Sequence, residues 1–279
     1  DGRTEEEIFK LFKMQYIEPE LREDNGELEL AGEFKLPKLI ELEDIKGDLH
    51  AHSTYSDGGN SIEEMCSAAR GKGYVYIAIT DHSQSLKIAK GMAVGELTKK
   101  KKEIDQLNKK FKDFRVFYGT EVDIDSEGNI DYPEDILKEF DIVVGAIHTG
   151  FKQSKSQLTR RIVRACQSKL VHMISHPTGR LWGTRDSYEL DLEEVIKVCR
   201  DTNTALEINS FPDRLDLNDQ NSRLAKQMGA KLVINTDSHA IEHLDNMPLG
   251  ICVARRAGLE ASDVINTLPL DKLLQAIKK

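Results

Sequence analysis

The chain has 279 residues, a net charge of −9 and 39% hydrophobic residues. That length suits one large β/α domain plus a modest extension. No apolar run approaches the roughly 20 residues a membrane helix needs, the acidic start Asp1-Gly2-Arg3-Thr4-Glu5-Glu6-Glu7 does not read as a secretory signal, and the negative charge counts against bulk nucleic-acid affinity.

Residues 1–44 read as a linker or docking arm. Ile8, Phe9, Leu11 and Phe12 suit a short amphipathic helix, and the stretch Tyr16 to Leu28 is charged and broken by Pro19 and Gly26. The chain starts without Met, as a fragment would. From 45 to 279 a regular alternation sets in. Strand one runs into Asp48-Leu49-His50, and a helix follows from the capping box Ser61-Ile62-Glu63-Glu64 to Gly71 and Gly73. Tyr74 to Ile79 is a second, almost wholly apolar strand. Leu97 to Phe111 is a helix with Leu97, Ile104, Leu107 and Phe111 on one stripe. Five more strands are expected at Arg115–Glu121, Asp141–Ile147, Leu170–Ile174, Thr204–Ile208 and Lys231–Ile234. Helices are expected at Ser154–Gln167, Asp191–Asp201, Asp219–Met228, Ile241–Arg256 and Ala261–Ile277. The period of about thirty residues is that of a βα unit. The fold class is α/β, a distorted seven-stranded, TIM-like (β/α)7 barrel with a short N-terminal arm.

Each strand ends in residue types that bind metals: His50 and His52, Asp81-His82, Glu121 and Asp123, His148, His176, Glu207 and Asn209, Asp237 and His239. In a β/α barrel those ends form the active-site face. Residues i and i+2 of a strand face one side, which groups Asp48, His50 and His52 and pairs Glu121 with Asp123 and Asp237 with His239. Of eight histidines, six end strands; His172 and His243 do not and are set aside. Nitrogen and carboxylate donors without thiolate suit Zn²⁺, Mn²⁺ or Fe²⁺. The set exceeds what one ion takes and suits a cluster of two or three, the arrangement that hydrolyses phosphate esters. Cys66, Cys166, Cys199 and Cys252 are far apart in sequence, so neither disulfides nor a thiolate zinc site is expected, and a reducing cytoplasm is the natural compartment.

With all these motifs in order over residues 45 to 256, the chain resembles the PHP (polymerase and histidinol phosphatase) domain. The resemblance implies a distorted seven-stranded barrel with three divalent metal ions. It implies His50, His52, Glu121 and Asp237 for one ion, Glu121, His148 and His176 for a second, and Asp57, His82 and His239 for a third. Tyr55-Ser56-Asp57-Gly58, Thr80-Asp81-His82-Ser83, Ala89-Lys90-Gly91-Met92 and Ser175-His176-Pro177-Thr178-Gly179-Arg180-Leu181 are similar to the C-terminal PHP domain of bacterial and archaeal X-family DNA polymerases. The arm Pro19-Glu20-Leu21-Arg22-Glu23 resembles the segment that joins the polymerase to that domain. Glu18 stands where a proline is expected, and the chain has no polymerase palm.

The resemblance implies a metal-dependent phosphoesterase acting on DNA in base-excision repair. Its activity would be 3′–5′ exonuclease, with 3′-end processing and abasic-site cleavage, and Mn²⁺ is the ion expected for it. The partners are DNA 3′ ends, gapped or abasic, and a polymerase region in a longer chain. Asp48 is expected to hydrogen-bond a ligand histidine, and Asp81 beside His82 to act alike. Arg180 is expected to hold phosphate, with Lys87 and Lys90 touching substrate. Trp182 suits either base stacking or loop packing. The lysine runs at 99–102 and 109–112 read as solvated helix faces. The alternatives are a small-molecule phosphatase of the histidinol-phosphatase type and an inactive, metal-stabilised module.

Overall fold

The computed structural model describes residues 3–279; Asp1 and Gly2 lie outside the described residues. Two short helices, α1 (Glu5–Leu11) and α2 (Glu27–Gly32), come first. The repeating part follows: β1 (Gly47–Ala51), α3 (Ile62–Gly71), β2 (Tyr76–Ile79), α4 (Val94–Lys110), β3 (Arg115–Asp123), α5 (Glu134–Leu137) and β4 (Ile142–Ala146). It continues with α6 (Lys155–Gln167), β5 (Met173–Ile174), α7 (Leu192–Asp201), β6 (Ala205–Asn209), α8 (Asp219–Gln227), β7 (Leu232–Asn235), α9 (Met247–Arg256) and α10 (Leu270–Ala276). The strands lie in sequence order, each pairing in parallel with the next. A bridge between Ala51 and Ser238 brings the two ends together, so the sheet is a nearly closed seven-stranded barrel.

Strand residues alternate between two cores, as period-two side chains must. Leu49, Tyr76, Ala78, Phe117, Ile142, Val144, Met173, Ala205 and Val233 fill the barrel interior. Their neighbours Ile77, Ile79, Val116, Tyr118, Val143, Ile174, Leu206, Leu232 and Ile234 pack outward under the helices. Ile265, Leu273 and Ile277 join the interior core, packing against it from the C-terminal segment. Asn266 spans the seam between β1 and β7: its Nδ2 donates to the carbonyls of Gly47 and Ile234, at 2.9 and 2.6 Å, and its Oδ1 accepts from the Ile234 amide.

Three expectations change. The helix expected over Ile241–Arg256 is a 3-10 turn (Ile241–Asn246) followed by α9. That over Ala261–Ile277 is two 3-10 turns and then α10, because Pro269 lacks a donor and bars its predecessor from helix. Strand five is only Met173–Ile174.

The arm is folded rather than extended. Ile17, Leu21, Ala31 and Leu39 make a small core of their own, with Phe9, Met14 and Leu36 against it. Arg255 of α9 pairs with Glu20 at 2.7 Å and Glu41 at 2.6 Å, and Ile40 donates to the Leu259 carbonyl. No helix among the described residues is long and apolar enough to cross a membrane.

Candidate metal centre

The strand ends bring the ligand-type side chains together. Nε2 of His50 lies 3.4 Å from both Glu121 Oε2 and Asp237 Oδ1, and Nε2 of His52 is 3.1 Å from Asp237 Oδ1. His148 Nε2 and His176 Nε2 approach Glu121 Oε1 at 3.5 and 3.1 Å. On the other side, His82 Nε2 and His239 Nε2 lie 3.6 and 3.4 Å from Asp57 Oδ1. Three groups have donor atoms within 4.8 Å of one another: His52, Asp57, His82 and His239; His50, His52 and Asp237; His82, Glu121 and His148. Glu121 is central, within reach of five of the six strand-end histidines. The centre is buried except at a rim formed by Asp57, His148 and His239.

Two of these residues have left-handed backbone, His176 (φ 29°) and Asp237 (φ 53°). Such conformations cost roughly 1–3 kcal/mol each and collect where a side chain must be aimed.

The charges interlock. Burial opposes ionisation of Glu121, yet the surrounding histidines hold its carboxyl well below the usual range. Asp237 is likewise held low against burial, by His50, His52 and His239. Burial is outweighed at His50 by Asp237, Glu207 and Glu121, which raise it well above the ordinary imidazole. At His239 the Asp57 and Asp237 carboxylates overcome burial and push it up to about 9. Burial and the neighbouring His239 and His82 charges drive His52 down to about 3, and burial with Arg214 takes His176 to about 4.

A divalent cation suits this set. Nδ1 of His52 is buried with no hydrogen-bond partner, and Nε2 of His50 and Nδ1 of His82 lie 3.4 and 2.9 Å from Oε2 of Glu121 without an aligned hydrogen bond. Such orphaned groups are costly unless something else satisfies them. The carboxylates of Asp57 and Asp237 join them, and no thiolate does: Cys66, Cys166 and Cys199 are buried elsewhere and Cys252 is exposed.

The supporting groups differ in part from those expected. Asp48 holds no histidine ring. The β1–β2 register shifts between Asp48 and Ala51, and the Asp48 carboxylate turns to Thr236, accepting its amide at 3.2 Å and its hydroxyl at 2.5 Å, and to the His50 amide at 3.1 Å. Burial pushes Asp48 up to about 7. The ring of His50 is held instead by Glu207, through Nδ1 at 2.8 Å. Asp123, two residues beyond Glu121, takes Nδ1 of His148 at 2.5 Å, a role the sequence reading missed. Asn209 donates to both Glu207 and Asp237. Asp81 also departs from expectation. It pairs with Lys100 at 2.8 Å and accepts from Ser53 and Ser56, tying the loop after β1 to α4. Lys100 is therefore fully buried, donating also to the carbonyls of Ile79 and Gly119, and is no part of a solvated face.

Around the rim, Arg180 donates Nε to the Arg214 carbonyl at 2.8 Å and Nη2 to that of Leu215, so two of its donors brace the loop after β6. The guanidinium that approaches the centre belongs to Arg214, Nε 3.4 Å from Asp237 Oδ2, with Nη1 buried and unpartnered. Nothing in sequence spacing singled it out. Lys87 and Lys90 are exposed on the loop after β2, flanking Ile88. His172 is set apart, its Nδ1 accepting from the Val143 amide. His243 sits behind the centre, its Nδ1 accepting from the His239 amide at 3.2 Å.

Comparison with known proteins agrees with this geometry. The PHP domain family matches residues 48–211. The DNA polymerase/3'-5' exonuclease PolX of Bacillus subtilis (strain 168) is 45% identical over 99% of this chain, and the chain spans about half of that relative, 48% of its length. A "Probable phosphatase" of Caldicellulosiruptor bescii is 32% identical over 70% of this chain and 80% of its own length. Among solved structures, histidinol phosphate phosphatase of Lactococcus lactis, complexed with zinc, L-histidinol and phosphate, shares the fold. Its TM-score is 0.54 at 20% identity, covering 77% of this chain and 94% of that one. The chain belongs to the PHP domain family, a family of metal-dependent phosphoesterases.

Proposed function

We propose that this chain is a 3′–5′ exonuclease of DNA ends, with 3′-end processing and abasic-site cleavage as related activities in base-excision repair. The observation that carries this reading is the 45% identity, along nearly the whole chain, to a protein named as a polymerase and 3'-5' exonuclease. That relative is about twice as long, so a polymerase region in a longer chain is the proposed covalent partner. The free cysteine thiols suit a reducing cytoplasm.

His50, His52, Glu121 and Asp237 would hold one ion, Glu121 with His148 and His176 a second, and Asp57, His82 and His239 a third. Manganese is the ion proposed for nuclease work, with zinc or iron as the other candidates. Such ions, when bound, supply Lewis-acid polarisation of a phosphoryl group. The rest of the work falls to the chain. Arg214 brings a fixed positive charge beside Asp237, where phosphoryl oxygens would arrive. Arg180 acts through that loop as its brace, and Asp48 positions the β7 end through Thr236. Lys87 and Lys90 offer charge to the approaching strand. The buried floor keeps bulk water from the centre, leaving entry at Asp57, His148 and His239.

The test uses a 5′-labelled single-stranded oligonucleotide with Mn²⁺. Stepwise shortening from the 3′ end is expected, with at least about a hundredfold loss in a His50→Ala/His52→Ala double variant, in keeping with loss of metal catalysis. Equal activity in the two proteins would overturn the reading. A second reading, a small-molecule phosphatase of the histidinol-phosphate type, is favoured by the shared fold of the Lactococcus lactis enzyme. Turnover of histidinol phosphate well above that of DNA would put it first.

A further inference from the structure

The loop after β5 carries the chain's only tryptophan, and its ring is left open. Trp182 is 60% exposed, an unusual state for the largest apolar side chain. It is not loosely placed. Its amide donates to the Asp213 carbonyl at 2.6 Å. Leu181 and Arg185 close a tight turn around it by reciprocal backbone hydrogen bonds, with Gly183 at φ +73°. The Arg180 guanidinium lies 4.8 Å from the ring centroid, and its Nε and Nη2 are fixed on the carbonyls of Arg214 and Leu215. The guanidinium therefore lies over the ring while held by two hydrogen bonds of its own, and much of the indole remains open to solvent.

The residue after Asp213 is Arg214, whose guanidinium reaches Asp237 in the metal centre and keeps one buried nitrogen unpartnered. Arg185, stacked on Phe151 at 3.7 Å, adds a third guanidinium to these two loops. A chain of net charge −9 thus gathers three arginines on the loops after β5 and β6, one of which, Arg214, reaches the carboxylate-rich centre. An open aromatic face next to a fixed positive charge fits one ligand chemistry well: a planar base joined to a phosphate.

We propose that Trp182 stacks a nucleobase of the substrate strand while Arg214 takes a phosphate attached to it, so that the two loops form a nucleotide subsite at the mouth of the centre. The proposal rests on the nuclease reading above and sharpens it, since it ties recognition to the base as well as to the phosphate. Stacking tolerates any base, which gives a subsite without sequence preference.

With one tryptophan in the chain, its emission reports this site alone. The probes are a phosphorothioate oligothymidylate, which resists hydrolysis, and base-free deoxyribose 5-phosphate. The oligonucleotide is expected to quench the emission and the base-free sugar phosphate to leave it unchanged. In anisotropy with a labelled oligothymidylate, Trp182→Ala is expected to weaken binding about tenfold, and Trp182→Phe by less, because phenylalanine still stacks. Arg214→Gln is expected to weaken binding and lower the salt slope by about one phosphate's worth, with Arg214→Lys restoring part. Unchanged emission at saturating oligonucleotide, together with a Trp182→Ala affinity within about twofold of wild type, would overturn the subsite. Quenching without any strand degradation would support the subsite and sink the nuclease reading. Degradation from the 3′ end with unchanged emission would do the reverse.

Discussion

Glu207 holds His50 by the ring nitrogen that faces away from the centre: Nδ1 and Oε1 are 2.8 Å apart and both side chains are fully buried. This sets Nε2 toward Glu121 and Asp237. The other carboxylate oxygen accepts the His176 amide at 2.7 Å, so one glutamate aligns two strand ends. Glu207→Gln replaces one acceptor oxygen with a donor and can no longer satisfy both. A metal affinity lower by about 10- to 100-fold is expected, read by titration against a competing chelator. Asp123→Asn should act alike through His148. Affinities equal to wild type in both variants would show that these carboxylates do not orient ligands.

Removing metal should destabilise the fold. Glu121, Asp237 and Asp57 converge on one small volume, and a cation that binds only the folded chain stabilises it by about 2.7 kcal/mol at a hundred times its dissociation constant. Extensive chelation is expected to lower the thermal midpoint, and re-addition of Mn²⁺ or Zn²⁺ to restore it. The His50→Ala/His52→Ala variant should respond less. A midpoint indifferent to chelation would argue against a bound cluster.

The Lys100–Asp81 pair is wholly buried, with the lysine also donating to two strand carbonyls. Breaking one side of such a pair typically costs about 3–5 kcal/mol, because the abandoned charge stays buried. Lys100→Met should lower the urea midpoint accordingly. A loss below about 1 kcal/mol would mean that water reaches Asp81 and screens it.

Stability should fall in mild acid partly through His172. Burial, aided by the Lys279 charge, takes its imidazole from 6.5 down to about 4. Between those values the unfolded chain holds a proton that the folded chain does not, so stability is full above about pH 6.5 and is lost as pH falls toward 4. His172→Asn keeps an acceptor for the Val143 amide and removes the titration. Its stability-versus-pH curve, from denaturant melts, should be flatter over this window by up to about 1.4 kcal/mol per pH unit. Superimposable curves would refute the assignment.

Much of the barrel was legible because strand ends repeat at a fixed interval and carry one class of side chain. The i, i+2 rule put His50 with His52, and the structure sets both rings facing Asp237. The same rule paired Glu121 with Asp123 but gave no hint that Asp123 serves a histidine of the next strand, because that depends on how β3 and β4 align. Asp48 escaped the rule through a register shift in β1. Lys100 was legible in principle: it falls on the stripe of Leu97, Ile104 and Leu107, and the surrounding run of lysines hid it. Arg214 was not, since it lies in the loop after β6, whose path is set by contacts with another loop, among them those of Arg180. Cys166 and Cys199, 33 residues apart, lie with sulfurs at 3.8 Å, a pairing made by the side-by-side packing of α6 and α7.

Asn266 stands where an eighth strand would complete the wall, bonding to backbone on both flanks of the seam. The segment after α9 is thus a fastening for the cylinder rather than a trailing end. A shortened protein cut where the family match stops, at residue 211, would lose β7 with Asp237 and His239. One cut at 260 would keep every candidate ligand and still lose the clasp. Any attempt to move this catalytic face onto another protein has to carry those last residues with it.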